Sequence, residues 1–235
     1  LDVERVIRII NRDRSPEVTP PPGRPPQLCM GCPHRSVFEV LKKQNCIVAG
    51  DIGCYTLSVL PPLEAMDTCV CMGASIGVGL GLRHALPESE AKRVVSVIGD
   101  STFVHSGITG LVEMVYNPPK TGHVVIILDN GTTAMTGLQE HPGTGRTLDH
   151  APTGKVDFEE LAKSLGIKRI QTLDAVREQD RFEQLLIDNL QSGELALMVT
   201  RRPCILAAVK IREYEKAAAD QPCDCAHLME KSHAD

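Results

Sequence analysis

The segment from Val94 to Gly137 constrains this chain most. It opens with the apolar run VVSVI, turns through Gly99-Asp100-Ser101-Thr102, and returns in HVVIILDN before the small-residue loop GTTAMTG. Apolar runs without polar alternation read as strands covered on both faces, the pattern of a parallel sheet sandwiched by helices. Both strands deliver polar side chains to one sheet edge: Asp100 from the first, Asp129 and Asn130 from the second. That edge is where open α/β sheets bind ligands.

The rest of the chain repeats the pattern. CIVAG at 46–50 reads as a strand leading to Asp51-Ile52-Gly53-Cys54, and ELALMVTRRPC as a last strand ending at Cys204. IKRIQTLD holds a short strand, and CVCMG is a third short apolar segment that places Cys69 and Cys71 in the core or in packing near the ligand, with metal binding as the lesser alternative. Helices are expected over 105–116, with Ile108, Leu111, Val112 and Val115 inward, and over 157–165 and 179–190. The glycines of GASIGVGLGL allow a helix to approach the sheet closely, but their spacing is not the dinucleotide fingerprint. Alternating strands and helices predict an α/β fold: a three-layer sandwich around a mostly parallel sheet.

Three parts are expected along the chain. Residues 1–28 form a short helix followed by a linker with six prolines between Ser15 and Gln27, residues 29–210 a ligand-binding domain, and residues 211–235 a tail. A net charge of −5 gives no basic footprint for nucleic acid. No apolar run reaches the roughly 18 residues of a membrane span, and no charged leader precedes a signal core, which points to the cytoplasm. Leu1 in place of an initiating Met leaves room for an upstream part.

Nine cysteines are many for such a chain, and their odd number and irregular spread argue against a disulfide framework. Cys29 and Cys32 form a C-x2-C loop whose glycine permits a tight turn, compatible with zinc, an iron–sulfur centre, a redox dithiol or no site. His34 and Arg35 follow at a helix start, facing either a ligand anion or solvent. Cys54 is a candidate third thiolate, and Cys223, Cys225 and His227 lack a full ligand spacing. The long polar loop at 139–155 offers His141, Arg146 and His150 for substrate contact.

At the sheet edge, Asp100 and Asn130 are hard oxygen donors, and a loop carbonyl such as that of Thr132 completes a set suited to Mg²⁺. The remaining positions of an octahedron fall to diphosphate oxygens and water. Gly99 and Gly131 let the backbone approach that diphosphate.

GDST at 99–102 followed by LDNGTTAMTG at 128–137 resembles the diphosphate–Mg²⁺ motif of thiamine-diphosphate enzymes. Together with LCMGCPHR, GDIGCYTL, MDTCVCMGASIGVG, EHPGTGRT and VTRRPCIL, it resembles the thiamine-diphosphate domain in the large subunit of indolepyruvate:ferredoxin oxidoreductases, over residues 24–210. The resemblance implies a thiamine-diphosphate-binding fold. Asp100, Asn130 and the Thr132 carbonyl would hold Mg²⁺. Asp51, Gly53, Gly73, Gly99, Asp100, Ser101, Asn130, Thr132, Ala134, Met135 and Thr136 would surround the cofactor, with Ser101 departing from the commoner glycine. Cys29, Cys32, Cys54 and Cys204 fall on the positions that hold a [4Fe-4S] cluster in related enzymes, although four thiolates also suit zinc.

The implied reaction is oxidative decarboxylation of an aryl 2-oxoacid such as indolepyruvate. The acyl group would pass to coenzyme A and electrons through iron–sulfur centres to ferredoxin. Pyruvate or 2-oxoglutarate as substrate, a noncatalytic iron–sulfur or zinc scaffold, and a decarboxylase without redox output are the alternatives. The resemblance also implies an oligomer with a small beta-type subunit, and a pyrimidine-binding domain or subunit supplying an activating glutamate. No motif gives Glu64 or Glu140 that role, and a ferredoxin-like cysteine-rich tail is not found. The isolated chain is therefore expected to be inactive or nearly so.

Overall fold

The computed structural model describes residues 10–11 and 26–220. The expected N-terminal helix and proline-rich linker, and Cys223, Cys225 and His227, lie wholly or almost wholly outside the described residues.

Six strands form one sheet in the order β2-β1-β3-β4-β6-β5, with every neighbouring pair parallel. They are β1 (Ile47–Gly50), β2 (Thr68–Cys69), β3 (Val94–Gly99), β4 (His123–Asp129), β5 (Arg169–Leu173) and β6 (Leu195–Arg201). All residues of β3 and β4 are buried, because helices cover both faces. Side chains of β4 divide alternately between two cores: Val124, Ile126 and Leu128 enter one, Val125 and Ile127 the other. This is the α/β three-layer arrangement expected from the continuous apolar runs.

On the first face α1 (His34–Lys43) and α7 (Gln179–Ser192) supply Val37, Phe38, Leu41, Phe182 and Leu186. On the second face lie α2 (Ser75–Ala85), α5 (Ile108–Tyr116) and α6 (Phe158–Ser164). The glycines of α2 do what their size suggests: a side chain on Gly79 would collide with Ser96 of β3 and with His123. A four-residue helix, α3 (Glu88–Ala91), precedes β3. Among the described residues no helix is long and apolar enough to cross a membrane.

Three expectations about elements are corrected. The helix after β3 begins at once, as α4 (Asp100–Thr102), and reaches α5 through a π-helical segment, Phe103–Gly107, instead of starting at His105. Ile108, Leu111 and Val115 pack inward as expected, but Val112 is exposed and Met114 takes its place, buried beside Leu111. The boundary expected at residue 210 falls inside a helix, α8 (Ala208–Asp220), with Ala207 and Ile211 buried. Cys69 and Cys71 are exposed, because β2 is only two residues long and ends the sheet on that side.

Candidate functional site

The carboxyl ends of β1, β3 and β4 converge as the sequence predicts. A cavity of about 110 Å³ opens there, lined among others by Gly53, Gly99, Asp100, Ser101, Asn130 and Thr132. Ala134, Met135 and Thr136 complete its wall on the far side of the loop.

Asp100 is 3% exposed and stitches the two strand ends together. One carboxylate oxygen accepts from the Ser101 N–H (2.8 Å); the other accepts from Asn130 N–H (3.1 Å) and Gly131 N–H (2.8 Å). Its nearest cationic candidate is His141, whose Nε2 lies 3.3 Å away without hydrogen-bond geometry. Among the described residues no Lys or Arg pairs with Asp100, so a buried carboxylate faces the cavity without a formal counter-charge. Such a group calls for a cation. Asn130 Oδ1 accepts from the Thr132 N–H (3.1 Å), and Thr133 Oγ1 donates to Ser101 Oγ (2.8 Å). Ser101 therefore ties the first loop to the second, which a glycine there could not do.

Tyr55, on the 3₁₀ segment Cys54–Val59, holds the turn from behind. Its hydroxyl accepts the Gly99 N–H at 2.9 Å, and burial first, then the charge of Asp51, pushes its ionisation up. The ring meets His34 edge to face, with centroids 6.1 Å apart. His34 lines the same cavity, with Nε2 3.2 Å from Asn130 Nδ2, and burial lowers its pKa to about 4 against the opposing pull of Asp100.

Two expected cofactor residues stand behind the cavity and do not line it. Asp51 is fully buried and accepts from Ile52 N–H (2.8 Å), Gly73 N–H (2.9 Å) and Ser75 N–H (3.2 Å), joining the β1 loop to the start of α2. Gly73 reaches that contact with φ +87°, a conformation few side chains tolerate. Asp129 faces Arg201, with Nε 2.6 Å from Oδ2; burial first, then Asp100, raises its carboxyl while Arg201 opposes.

The four cysteines also converge. Cys29, Cys32, Cys54 and Cys204 line a second cavity of about 80 Å³. Burial pushes the Cys32 thiol up to about 11, helped by the nearness of Cys29, Cys54 and Cys204. Burial likewise raises Cys54, with Cys204 and Cys29 contributing. Among the described residues no three His, Cys, Asp or Glu side chains are gathered tightly enough for a single metal ion. The two cavities share walls: His34, Cys54, Asn130 and Ala134 line both. The main chain joins them too, since the Cys204 N–H donates to the Asn130 carbonyl at 2.9 Å.

The three candidate residues of the polar loop all make contacts within the chain. His141 is buried against Asp100, and Arg146 and His150 both engage Glu140 Oε1 at 2.9 Å. Against the opposing effect of burial, hydrogen bonds from Arg146, Thr144 and His150 hold the Glu140 carboxyl down. Tyr214 of α8 stacks on His150 at 4.2 Å and locks the loop in place. Sequence reasoning missed Tyr55, Ile52, Met72, Thr102 and Thr133 on the cavity wall. Only the position of Tyr55 directly after a strand-exit glycine and Cys54 could have flagged it.

A family model described as the thiamine pyrophosphate enzyme C-terminal TPP binding domain matches residues 51–199. Indolepyruvate oxidoreductase subunit IorA of Pyrococcus abyssi is 39% identical over 219 residues, covering 88% of this chain and 33% of the relative. The chain thus spans about a third of that relative's length. Among solved structures, 2-oxoglutarate:ferredoxin oxidoreductase from Magnetococcus marinus superposes with TM-score 0.61 at 17% identity, over 78% of this chain and 66% of that one. Benzoylformate decarboxylase from Polynucleobacter necessarius superposes with TM-score 0.52 at 16% identity, over 82% and 37%.

Proposed function

The chain belongs to the thiamine-pyrophosphate enzymes, through their C-terminal TPP-binding domain, and on that premise we propose that it is the diphosphate- and Mg²⁺-binding part of a 2-oxoacid:ferredoxin oxidoreductase. Its substrate would be an aryl 2-oxoacid such as indolepyruvate. The products would be CO2 and an acyl-CoA, with electrons leaving through a [4Fe-4S] cluster toward ferredoxin. The observation that carries this reading is the shared wall between the two cavities, made of His34, Cys54, Asn130 and Ala134. A decarboxylase without redox output gives no role to four cysteines in a cavity that shares a wall with the cofactor site.

The residues suit the groups assigned to them. Asp100, Asn130 Oδ1 and the Thr132 carbonyl offer three hard oxygens beside a buried charge that lacks a Lys or Arg partner among the described residues. For the cysteines, a single zinc ion at about 2.3 Å from each sulfur would need them closer together than a cluster does. When bound, thiamine diphosphate supplies the electron sink for decarboxylation. The chain's own work is to hold the diphosphate end by Gly99, Ser101 and the 130–136 loop, and to keep thiolates next to it.

The cavity supports a half-site. Its volume of about 110 Å³ falls well below the roughly 300 Å³ at which small-molecule pockets begin. Its rim exposes large apolar side chains: Ile52 at 38%, Met72 at 53% and Met135 at 50%. Such a rim fits a covering pyrimidine-binding domain or subunit that brings the activating glutamate. Glu140 is not free for that role, being committed to Arg146 and His150, and Glu64 lines neither cavity. A small beta-type subunit, coenzyme A, an oligomeric assembly and a cytoplasmic setting complete the proposal.

Anaerobic purification followed by iron, sulfide, Mg²⁺ and thiamine-diphosphate analysis of one sample tests it. About four iron per chain with one cofactor is expected; cofactor without iron would leave the decarboxylase reading, and iron without cofactor the scaffold reading. The chain alone should show almost no arylpyruvate-dependent dye reduction, and substantial turnover would sink the half-site.

A further inference from the structure

We propose that His34 is a positioning residue that fixes the Asn130 carboxamide with its oxygen toward the metal position. The inference rests on the Mg²⁺-diphosphate reading of the cavity. An asparagine can serve a hard cation only through Oδ1, because its NH2 end is a donor. The amide therefore has one productive orientation and one useless one, related by a half-turn that hardly changes its shape.

Two contacts choose between them. The Thr132 N–H lies 3.1 Å from one end of the amide, which must be the oxygen. His34 Nε2 lies 3.2 Å from the other end. With its proton on Nδ1, the ring offers Nε2 only a lone pair, and a lone pair accepts from the NH2 group. His34 is 4% exposed, so water does not compete for that lone pair freely. The ring itself is held in turn. It stands edge-on to Tyr55, whose hydroxyl is fixed by the Gly99 N–H, and its backbone opens α1 directly after the Cys32-Pro33 turn.

No other described contact holds the Nδ2 end of Asn130. Removing the imidazole would leave the Thr132 contact alone to orient the amide, and that contact is a single neutral hydrogen bond. Partners that orient metal ligands typically alter metal affinity by about 10–100-fold when removed.

The experiment is Mn²⁺ binding to the full chain in the presence of thiamine diphosphate, read by the electron paramagnetic resonance of free Mn²⁺. It needs no turnover and no covering partner. His34→Ala should weaken Mn²⁺ about tenfold or more. His34→Gln, whose side-chain oxygen can also accept, should recover most of that loss. In an Asn130→Asp background the same His34→Ala change should cost less than about threefold, because a carboxylate presents an oxygen in either orientation. Circular dichroism and the urea midpoint verify that each variant is folded; His34→Leu, which fills the site but offers no acceptor and should weaken Mn²⁺ as His34→Ala does, carries the test if His34→Ala is not, and unchanged affinity there overturns the inference equally. Unchanged Mn²⁺ affinity in His34→Ala, or an equal loss in the Asn130→Asp background, overturns the inference. A parent chain that binds no Mn²⁺ with thiamine diphosphate overturns the cavity reading itself, and this inference with it.

Discussion

Tyr55→Phe isolates one atom of the site. The hydroxyl accepts the Gly99 N–H at 2.9 Å in a buried position, and its other contact, to the Ile52 carbonyl at 3.4 Å, is long. Phe keeps the ring that packs on His34 and over the glycines, so no cavity opens and the transfer term is unchanged. What remains is a buried N–H without an acceptor, worth about 1–3 kcal/mol. For a chain of this size each kcal/mol moves the melting temperature by about 2–4 °C. The expected signature is a lower urea midpoint at an unchanged slope. Because Gly99 immediately precedes Asp100, thiamine-diphosphate binding should weaken in parallel. A change below about 0.5 kcal/mol, the size of an ordinary surface substitution, would mean that Gly99 finds another acceptor and that Tyr55 does not hold the turn.

Two further changes probe the supports of the cavity. Gly73→Ala should destabilise by about 1–3 kcal/mol, since φ is +87° and the added carbon would stand 2.5 Å from Ser106 Oγ and 2.8 Å from its carbonyl oxygen; a near-neutral result by urea titration would refute the strain. Burial lowers the pKa of His123 to about 3, with Arg83 adding to it. The unfolded chain binds its proton near the ordinary value of about 6.5, so stability falls as pH drops from about 6.5 toward 3, by up to about 1.4 kcal/mol per pH unit. His123→Gln should flatten that acid limb in urea midpoints measured across pH, and an unchanged slope would show that other groups set it.

The parts of the fold legible in the sequence are those whose signal is local. β3 and β4 are apolar throughout because both faces are covered, and Gly99-Asp100 and Asn130-Gly131 mark where they end. The start of the helix after β3 was hidden because its first residues, Asp100, Ser101 and Thr102, are polar for the cavity's sake. Its inner face is legible in Ile108, Leu111 and Val115, which pack on the core, whereas Val112, at the edge of that stripe, is exposed and Met114 at the other edge is buried. Helix α8 has a signal in Ala207, Ile211 and Tyr214, which repeat at helical spacing within a charged, alanine-rich composition. The supports of the site were not legible at all. Asp51 with Gly73, Tyr55 with Gly99 and His34 with Asn130 are pairs from distant segments, and a residue committed to a backbone N–H looks in sequence like one committed to a ligand. That is why Asp51 reads as a cofactor residue and stands as a brace.

Cys204 shows how two sites that share a wall can still be separated. Its link to the cofactor side is the main-chain N–H donated to the Asn130 carbonyl at 2.9 Å, whereas its link to the cysteine cavity is the side chain. Cys204→Ala removes the second and keeps the first. The loop 201–204 also remains held by Arg201 on Asp129 and by the Arg202 N–H on the Asp129 carbonyl, neither of which needs the thiol. The variant should therefore lose most of its iron after anaerobic purification while its Mn²⁺ and thiamine-diphosphate affinities stay within about threefold, a difference under about 0.7 kcal/mol. If iron and cofactor are lost together, the sulfur is holding the cofactor loop as well, and the division of labour between thiol and backbone is wrong. If iron is retained, Cys204 is not a ligand, and the four-cysteine cavity has another purpose.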